Sequence, residues 1–267
     1  MPYDIIDFHT HPFLRSENNI CSHQCVCNLQ SGDILEEMRA LGVSKFCGSV
    51  IAKPHEADKN VWDRLKRAND DALKLREIFG NAYIPGFHVH PAFVEESIEE
   101  IHRMNEAGVR LIGELVPYSS EWESYGFTYA SDAFSRILDE AEKYNMIVNF
   151  HSDEDADAMD AMVQNHKNLV LIAAHPGEMP RFMRHLARAK MSKNYYLDLS
   201  GTGLFRYGML NRAVKEMGAD HVLFGTDYPV CTPGMYVGGV AFDKFLTDEE
   251  KALVFAGNAK RLLDICR

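Results

Sequence analysis

The sequence predicts a closed (β/α)8 barrel, and three observations predict it. Short apolar runs, each followed by an amphipathic stretch, recur eight times along the 267 residues, the alternation of a parallel sheet wrapped by helices. Successive runs are spaced roughly 30 residues apart, the length one strand–helix unit takes. No Pro-, Gly- or Ser-rich linker, low-complexity tract or composition shift divides the chain, and its length suits a barrel of about 250 residues. Residues 1–267 therefore read as one domain. A doubly wound open sheet is the alternative packing of the same pattern.

The elements follow in order. Strand 4–9 leads to helix 33–41, which Gly42 stops; strand 44–51 leads to helix 61–79, stopped by Gly80; strand 83–88 leads to helix 93–107, stopped by Gly108. Strand 109–115 precedes helix 132–144, opened by Ser131. Strand 146–151 precedes helix 153–166, opened by Ser152, where Asp153, Glu154, Asp155, Asp157 and Asp160 suit the positive helix start. Strand 169–174 precedes helix 179–190, and strand 195–200 precedes helix 204–217, stopped by Gly218. Strand 221–226 comes last, before a helix opened by Thr247 with Glu250 at capping-box spacing and ending near Ile265. The longest irregular segments, 10–30 and 117–129, both follow strands; in a barrel such loops form the catalytic face.

Polar residues stand where these apolar runs end. Strict alternation puts Ile5, Asp7, His9 and His11 on one face and Ile6, Phe8 and Thr10 on the other, with Ile6 and Phe8 toward helices. His9 and His11 then point inward, close enough to share one divalent ion, though His-x-His also occurs as two solvated loop histidines. Glu114, His151, His175 and Asp227 close four later strands, and Glu114 shares the face of Ile112 and Arg110. A barrel gathers all strand ends into one ring, so these six residues would surround a single pocket suited to zinc or a neighbouring transition metal.

The run Ile5-Ile6-Asp7-Phe8-His9-Thr10-His11-Pro12, with Ala174-His175-Pro176-Gly177, Phe224-Gly225-Thr226-Asp227-Tyr228-Pro229 and Gly257-Asn258-Ala259-Lys260-Arg261-Leu262-Leu263, resembles the amidohydrolase superfamily, specifically its amidohydrolase-related branch, which includes aromatic-acid decarboxylases. The resemblance spans nearly the whole chain. It implies that His9, His11, His151 and Asp227 bind a catalytic divalent metal and that His175 binds a second ion or assists catalysis. In binuclear relatives a strand-four carboxylate bridges two ions, whereas mononuclear decarboxylase-like members commonly lack it, so Glu114 is expected to bridge, with a rim salt bridge as the alternative; one or two ions, zinc first, are the implied cofactor. A metal held this way lowers the pKa of its water from 15.7 toward about 7. The expected activity is hydrolysis of an amide, ester or lactone of a small molecule, with Asp227 moving the proton and His175 stabilising the oxyanion. Alternatives are non-oxidative decarboxylation of an aromatic or unsaturated acid, or phosphodiester cleavage like that of the TatD-like deoxyribonucleases. Relatives are often homodimers.

Other residues carry weaker expectations. Asp7 orients a ligand imidazole or serves as a buried strand-end hydrogen bonder. His90, which shares a face with His88, is a candidate substrate contact, and Ser200 a pocket wall. Cys21, His23, Cys25 and Cys27, with Cys231 brought near by strand eight, are candidates for an accessory metal site, or for thiols of a pocket lid. The formal charge of -11 and the lack of a basic patch argue against nucleic acid and anionic membranes. No basic leader opens the sequence and no apolar run reaches a membrane span, so a cytoplasmic protein with reduced thiols is expected.

Overall fold

The computed structural model describes residues 2–21, 29–152, 155–204 and 206–264. Eight parallel strands form one sheet in chain order: β1 (Ile5–Asp7), β2 (Val43–Gly48), β3 (Tyr83–Phe87), β4 (Leu111–Leu115), β5 (Ile147–His151), β6 (Val170–Ala174), β7 (Tyr195–Asp198) and β8 (Val222–Leu223). The sheet closes on itself. Phe8 N–H donates to the Phe224 carbonyl at 2.8 Å and His11 N–H to that of Tyr228 at 2.7 Å, while Asp227 N–H donates to His9 at 2.8 Å. Between the strands run α1 (Asp33–Ala40), α2 (Val61–Phe79), α3 (Val94–Glu106), α4 (Asp132–Lys143), α5 (Ala156–Asn165), α6 (Met179–Met191) and α7 (Met209–Met217). The chain is a (β/α)8 barrel, as its pattern predicts. Helices α8 (Pro233–Ala241), α9 (Asp248–Ala252) and α10 (Asn258–Leu262) follow β8. No helix among the described residues is long and apolar enough to cross a membrane.

Alternation along the strands builds two cores. Ile5, Phe46, Phe87, Ile112, Phe150 and Leu197 pack with helix residues such as Met38, Ile101, Phe134 and Leu186 in the larger core. The opposite faces contribute Cys47, Leu111, Ile147, Ile172, Tyr196 and Leu223 to a smaller core, joined by Ala256, Ala259 and Leu262. The second set therefore fills the barrel interior beneath the strand ends.

Two expected orientations fail. Ile6 and Phe8 belong to the interior core and Ile5 to the helix-facing one, a regular alternation in the opposite phase to the expected one. The regular strand also ends at Asp7, so His9 and His11 are placed by backbone bonds to the segment after β8. Glu114 does point inward, but not through sharing a face with Ile112, which packs toward the helices. The β4–β5 register shifts between Ile112 and Leu115. Gly113 allows this with φ +98 and a Cβ position only 2.0 Å from the Asn149 carbonyl oxygen, a conformation and an approach that a side chain would oppose.

Candidate metal centre

The first cluster is set by β1 and β8. His9 Nδ1 lies 2.9 Å from Asp198 Oδ2 and His11 Nδ1 3.1 Å from the Ser49 carbonyl oxygen. Both partners only accept, so each Nδ1 carries a proton and each Nε2 faces the centre. The two Nε2 atoms are 3.1 Å apart, and Asp227 Oδ1 stands 3.4 Å from that of His11 and 3.8 Å from that of His9. Asp227 holds a left-handed backbone at φ +64, a conformation that costs a non-glycine residue about 1–3 kcal/mol and clusters at functional sites.

The second cluster comes from β4, β5 and β6. Glu114 Oε1 lies 2.9 Å from His151 Nδ1 and 3.3 Å from His175 Nε2, while its Oε2 lies 3.2 Å from His11 Nε2 and 3.4 Å from His9 Nε2. Glu114 thus stands between two groups of donors, His9–His11–Asp227 and its own with His151 and His175; within each, the ligand atoms lie within 4.8 Å of one another. His151 converges with Glu114 and His175 rather than joining His9, His11 and Asp227 around one point.

These donors fit a divalent cation. Two ligand atoms each about 2.1 Å from one ion at a tetrahedral angle stand roughly 3.4 Å apart, the spacing found here. The charges agree: burial disfavours the charged forms of His9 and Glu114, yet the Asp198 and Glu114 carboxylates hold the His9 imidazolium well above its usual range, while His9 and His151 hold Glu114 well below its own. The centre demands positive charge at one point, which a metal supplies.

A supporting layer orients the imidazoles. Ser200 Oγ lies 3.0 Å from both His9 Nδ1 and His175 Nδ1 and donates to Asp198 Oδ1. Burial raises the Asp198 carboxyl, but His9 outweighs it and brings it to about 2. Sequence reasoning missed Asp198, although it shares the inward face of β7 with Tyr196. Asp7 does not orient an imidazole. Its carboxylate accepts from the backbone of His9 at 3.1 Å and from Thr226 N–H and Oγ1–H at 3.0 and 2.6 Å, stitching β1 to β8.

His90 does not line the cavity that opens over these clusters. It is fully buried, donates from Nε2 to the Ser120 carbonyl at 2.8 Å and accepts the Ala92 N–H at Nδ1. Burial lowers both it and His88 to about 4. Of the suggested accessory site, His23, Cys25 and Cys27 lie outside the described residues. Cys21 and Cys231 belong to no converging donor group among the described ones.

A cavity of about 280 Å³ opens over the clusters, with His11, Glu114, His151, His175 and Asp227 at its floor and Ile20, Ile51, Val116, Tyr118, Ser119 and Val230 as walls. A larger cavity of about 460 Å³ is lined by Arg181, Arg184 and Arg188 of α6, of which Arg184 and Arg188 pair with Asp160. It holds none of these donors.

The sequence model of the amidohydrolase family matches residues 6–265. No curated protein matches the chain. Among solved structures, 2,6-dihydroxybenzoate decarboxylase from Rhizobium is similar at 17% identity, covering 98% of this chain and 99% of that one, with a TM-score of 0.74. The corresponding values are 14%, 98%, 99% and 0.73 for 5-carboxyvanillate decarboxylase from Sphingomonas paucimobilis. For the 5-carboxyvanillate decarboxylase of Novosphingobium aromaticivorans, complexed with manganese and a nitrobenzoic acid, they are 15%, 99%, 97% and 0.71.

Proposed function

The chain belongs to the amidohydrolase family, and on that premise we propose that it is a divalent-metal-dependent decarboxylase releasing CO2 from a compact aromatic or unsaturated carboxylic acid. The make-up of the cavity carries this reading. Metal-type donors form its floor, Ile20, Ile51, Val116 and Val230 form much of its wall, and no Lys or Arg stands among its described lining residues. A substrate carboxylate therefore has only the floor to neutralise it, and apolar walls favour loss of its charge as CO2. The activities named for the similar structures support the same chemistry, and manganese in one of them supports a divalent cofactor. Zinc suits this imidazole and carboxylate set as well.

His9, His11 and Asp227 would hold one ion; His151 and His175 would hold a second, with Glu114 between. When bound, the cation supplies Lewis acidity toward the substrate carboxylate. Asp227 handles the proton: the bond to the carboxyl carbon breaks, its electron pair stays on the substrate carbon, and that carbon takes the Asp227 proton as CO2 leaves. Solvent then reprotonates Asp227. His175, fixed at Nδ1 by Ser200, directs Nε2 toward charge developing on a substrate oxygen.

Hydrolysis of an amide, ester or lactone is the second reading, favoured by the place of Glu114 between the two clusters, where it can bridge paired ions. Asp227 would then take a proton from the attacking water and return it to the leaving group. The lack of Lys or Arg among the described lining residues counts against a phosphodiester.

Metal-loaded protein is expected to release CO2 from 2,6-dihydroxybenzoate or 5-carboxyvanillate, and His9→Ala or Asp227→Ala to lose both bound metal and turnover with the fold intact. Hydrolysis of an ester or lactone panel without CO2 moves the assignment to the second reading. Retained metal stoichiometry in either variant removes both.

A further inference from the structure

Tyr118 is a large aromatic side chain left 71% exposed, yet it stands beside the metal-type donors. Its ring centroid lies 5.2 Å from that of His151 with the planes at 79°, and with Ser119 it lines the cavity. The segment that carries it is held from behind. Ser120 N–H donates to the Val116 carbonyl at 2.9 Å and Trp122 N–H to that of Pro117 at 3.0 Å. The buried Arg64 donates to the Ser119 carbonyl at 3.2 Å and to Glu121 at 3.0 Å. His90 donates to the Ser120 carbonyl at 2.8 Å. Two buried side chains from elsewhere in the barrel thus fix consecutive carbonyls just after the exposed ring.

We propose that Tyr118 is the specificity-determining wall of the cavity, presenting its ring to the plane of a ring-bearing monoanion whose charged group points to the floor, and that His90 and Arg64 are the positioning residues that hold it there. The inference rests on the metal-centre reading above. A ring carried on a backbone held in advance loses less freedom when it meets a ligand than one on an unheld loop, and an aromatic pair is worth about 0.5–1.5 kcal/mol beyond area burial, or roughly 2- to 10-fold in affinity. An acyclic acid of the same charge gains none of this.

The test compares the dissociation constants of benzoate, a ring acid without the hydroxyl groups that activate decarboxylation, and crotonate by calorimetry on manganese-loaded protein, with metal content counted on the same samples. Tyr118→Ala is expected to weaken the ring acid by roughly 2- to 10-fold and crotonate by less than twofold, at unchanged metal content, while Tyr118→Phe binds as wild type does. His90→Ala is expected to reproduce part of the selective loss and His90→Gln, which keeps a donor, to restore it. Equal weakening of both acids, no weakening of either, or a metal-loaded wild type that binds neither acid overturns the wall. A wild type that takes up no metal overturns the centre and this inference with it. Because Tyr118 is exposed, its variants fold whether or not His90→Ala does.

Discussion

Asp198 supports the centre without facing the cavity. Its carboxylate fixes the Nδ1 proton of His9 at 2.9 Å, accepts the Ser200 hydroxyl and takes the Asn149 amide at 3.0 Å. An anion behind a ligand imidazole sets its tautomer and raises its basicity, and removing such a partner typically costs 10- to 100-fold in metal affinity. Asp198→Asn keeps the shape and drops the charge, so metal affinity measured against a competing chelator is expected to fall by about that factor, with the fold unchanged. Unchanged affinity would show that orientation alone suffices. The six residues gathered in the two clusters were legible because each ends an apolar run, where a titratable side chain has no packing reason to stand. Asp198 was hidden inside a run of Tyr and Leu, where only the alternation of β7 marks it as inward. His90 shows the opposite ambiguity, since a histidine at a strand end can as well serve a loop carbonyl, as it does at Ser120, as a ligand.

Element boundaries depend on side chains that sequence signals do not distinguish. Thr247 and Glu250 form the expected capping box, Glu250 N–H to Thr247 Oγ1 at 3.2 Å and Thr247 N–H to Glu250 Oε2 at 2.8 Å. Thr247→Ala is expected to cost about 0.5–2 kcal/mol in denaturant unfolding while leaving metal content alone, because α9 is far in sequence from every donor. Ser152 carried the same kind of signal and does something else: its hydroxyl donates to the Ala174 carbonyl, and Asp155 caps α5 instead. Helix α8 gave no signal, its Pro233–Ala241 segment being apolar and glycine-rich rather than amphipathic. Glycine marks the junction after β7 more firmly. A Cβ at Gly201 would stand 2.3 Å from His175 Nδ1, on a backbone at φ +63. Gly201→Ala is therefore expected to displace His175, reducing bound metal in the Glu114–His151–His175 cluster while the His9–His11–Asp227 cluster keeps its ion. Loss of both ions together in elemental analysis would show that the clusters act as one.

At the scale of the whole barrel, burial that assembles the centre also makes the fold sensitive to acid. Packing against the strand ends leaves His88 and His90 near a pKa of about 4 and His185 near about 3, all below the usual histidine value of about 6.5. A depressed histidine contributes stability that is complete above its unfolded pKa and is lost as pH falls toward its folded one. Asp7 works the other way: burial raises it to about 7, so between its unfolded value of about 3.9 and pH 7 the folded chain holds a proton that the unfolded chain releases. Near pH 5 to 6, counting these four groups alone, the unfolded state gains three histidine protons and gives up one from Asp7, a net uptake of about two, to which His166, also lowered by burial, adds in the same direction. The stability of the metal-free protein is then expected to fall by roughly 2 to 3 kcal/mol for each pH unit lost across that window, read from urea midpoints at constant ionic strength. His185→Gln should remove about one proton from the slope. A flat profile would mean that these imidazoles are protonated within the folded barrel, where a protonated His90 Nδ1 could no longer accept the Ala92 N–H, and the turn after β3 would have to be drawn differently.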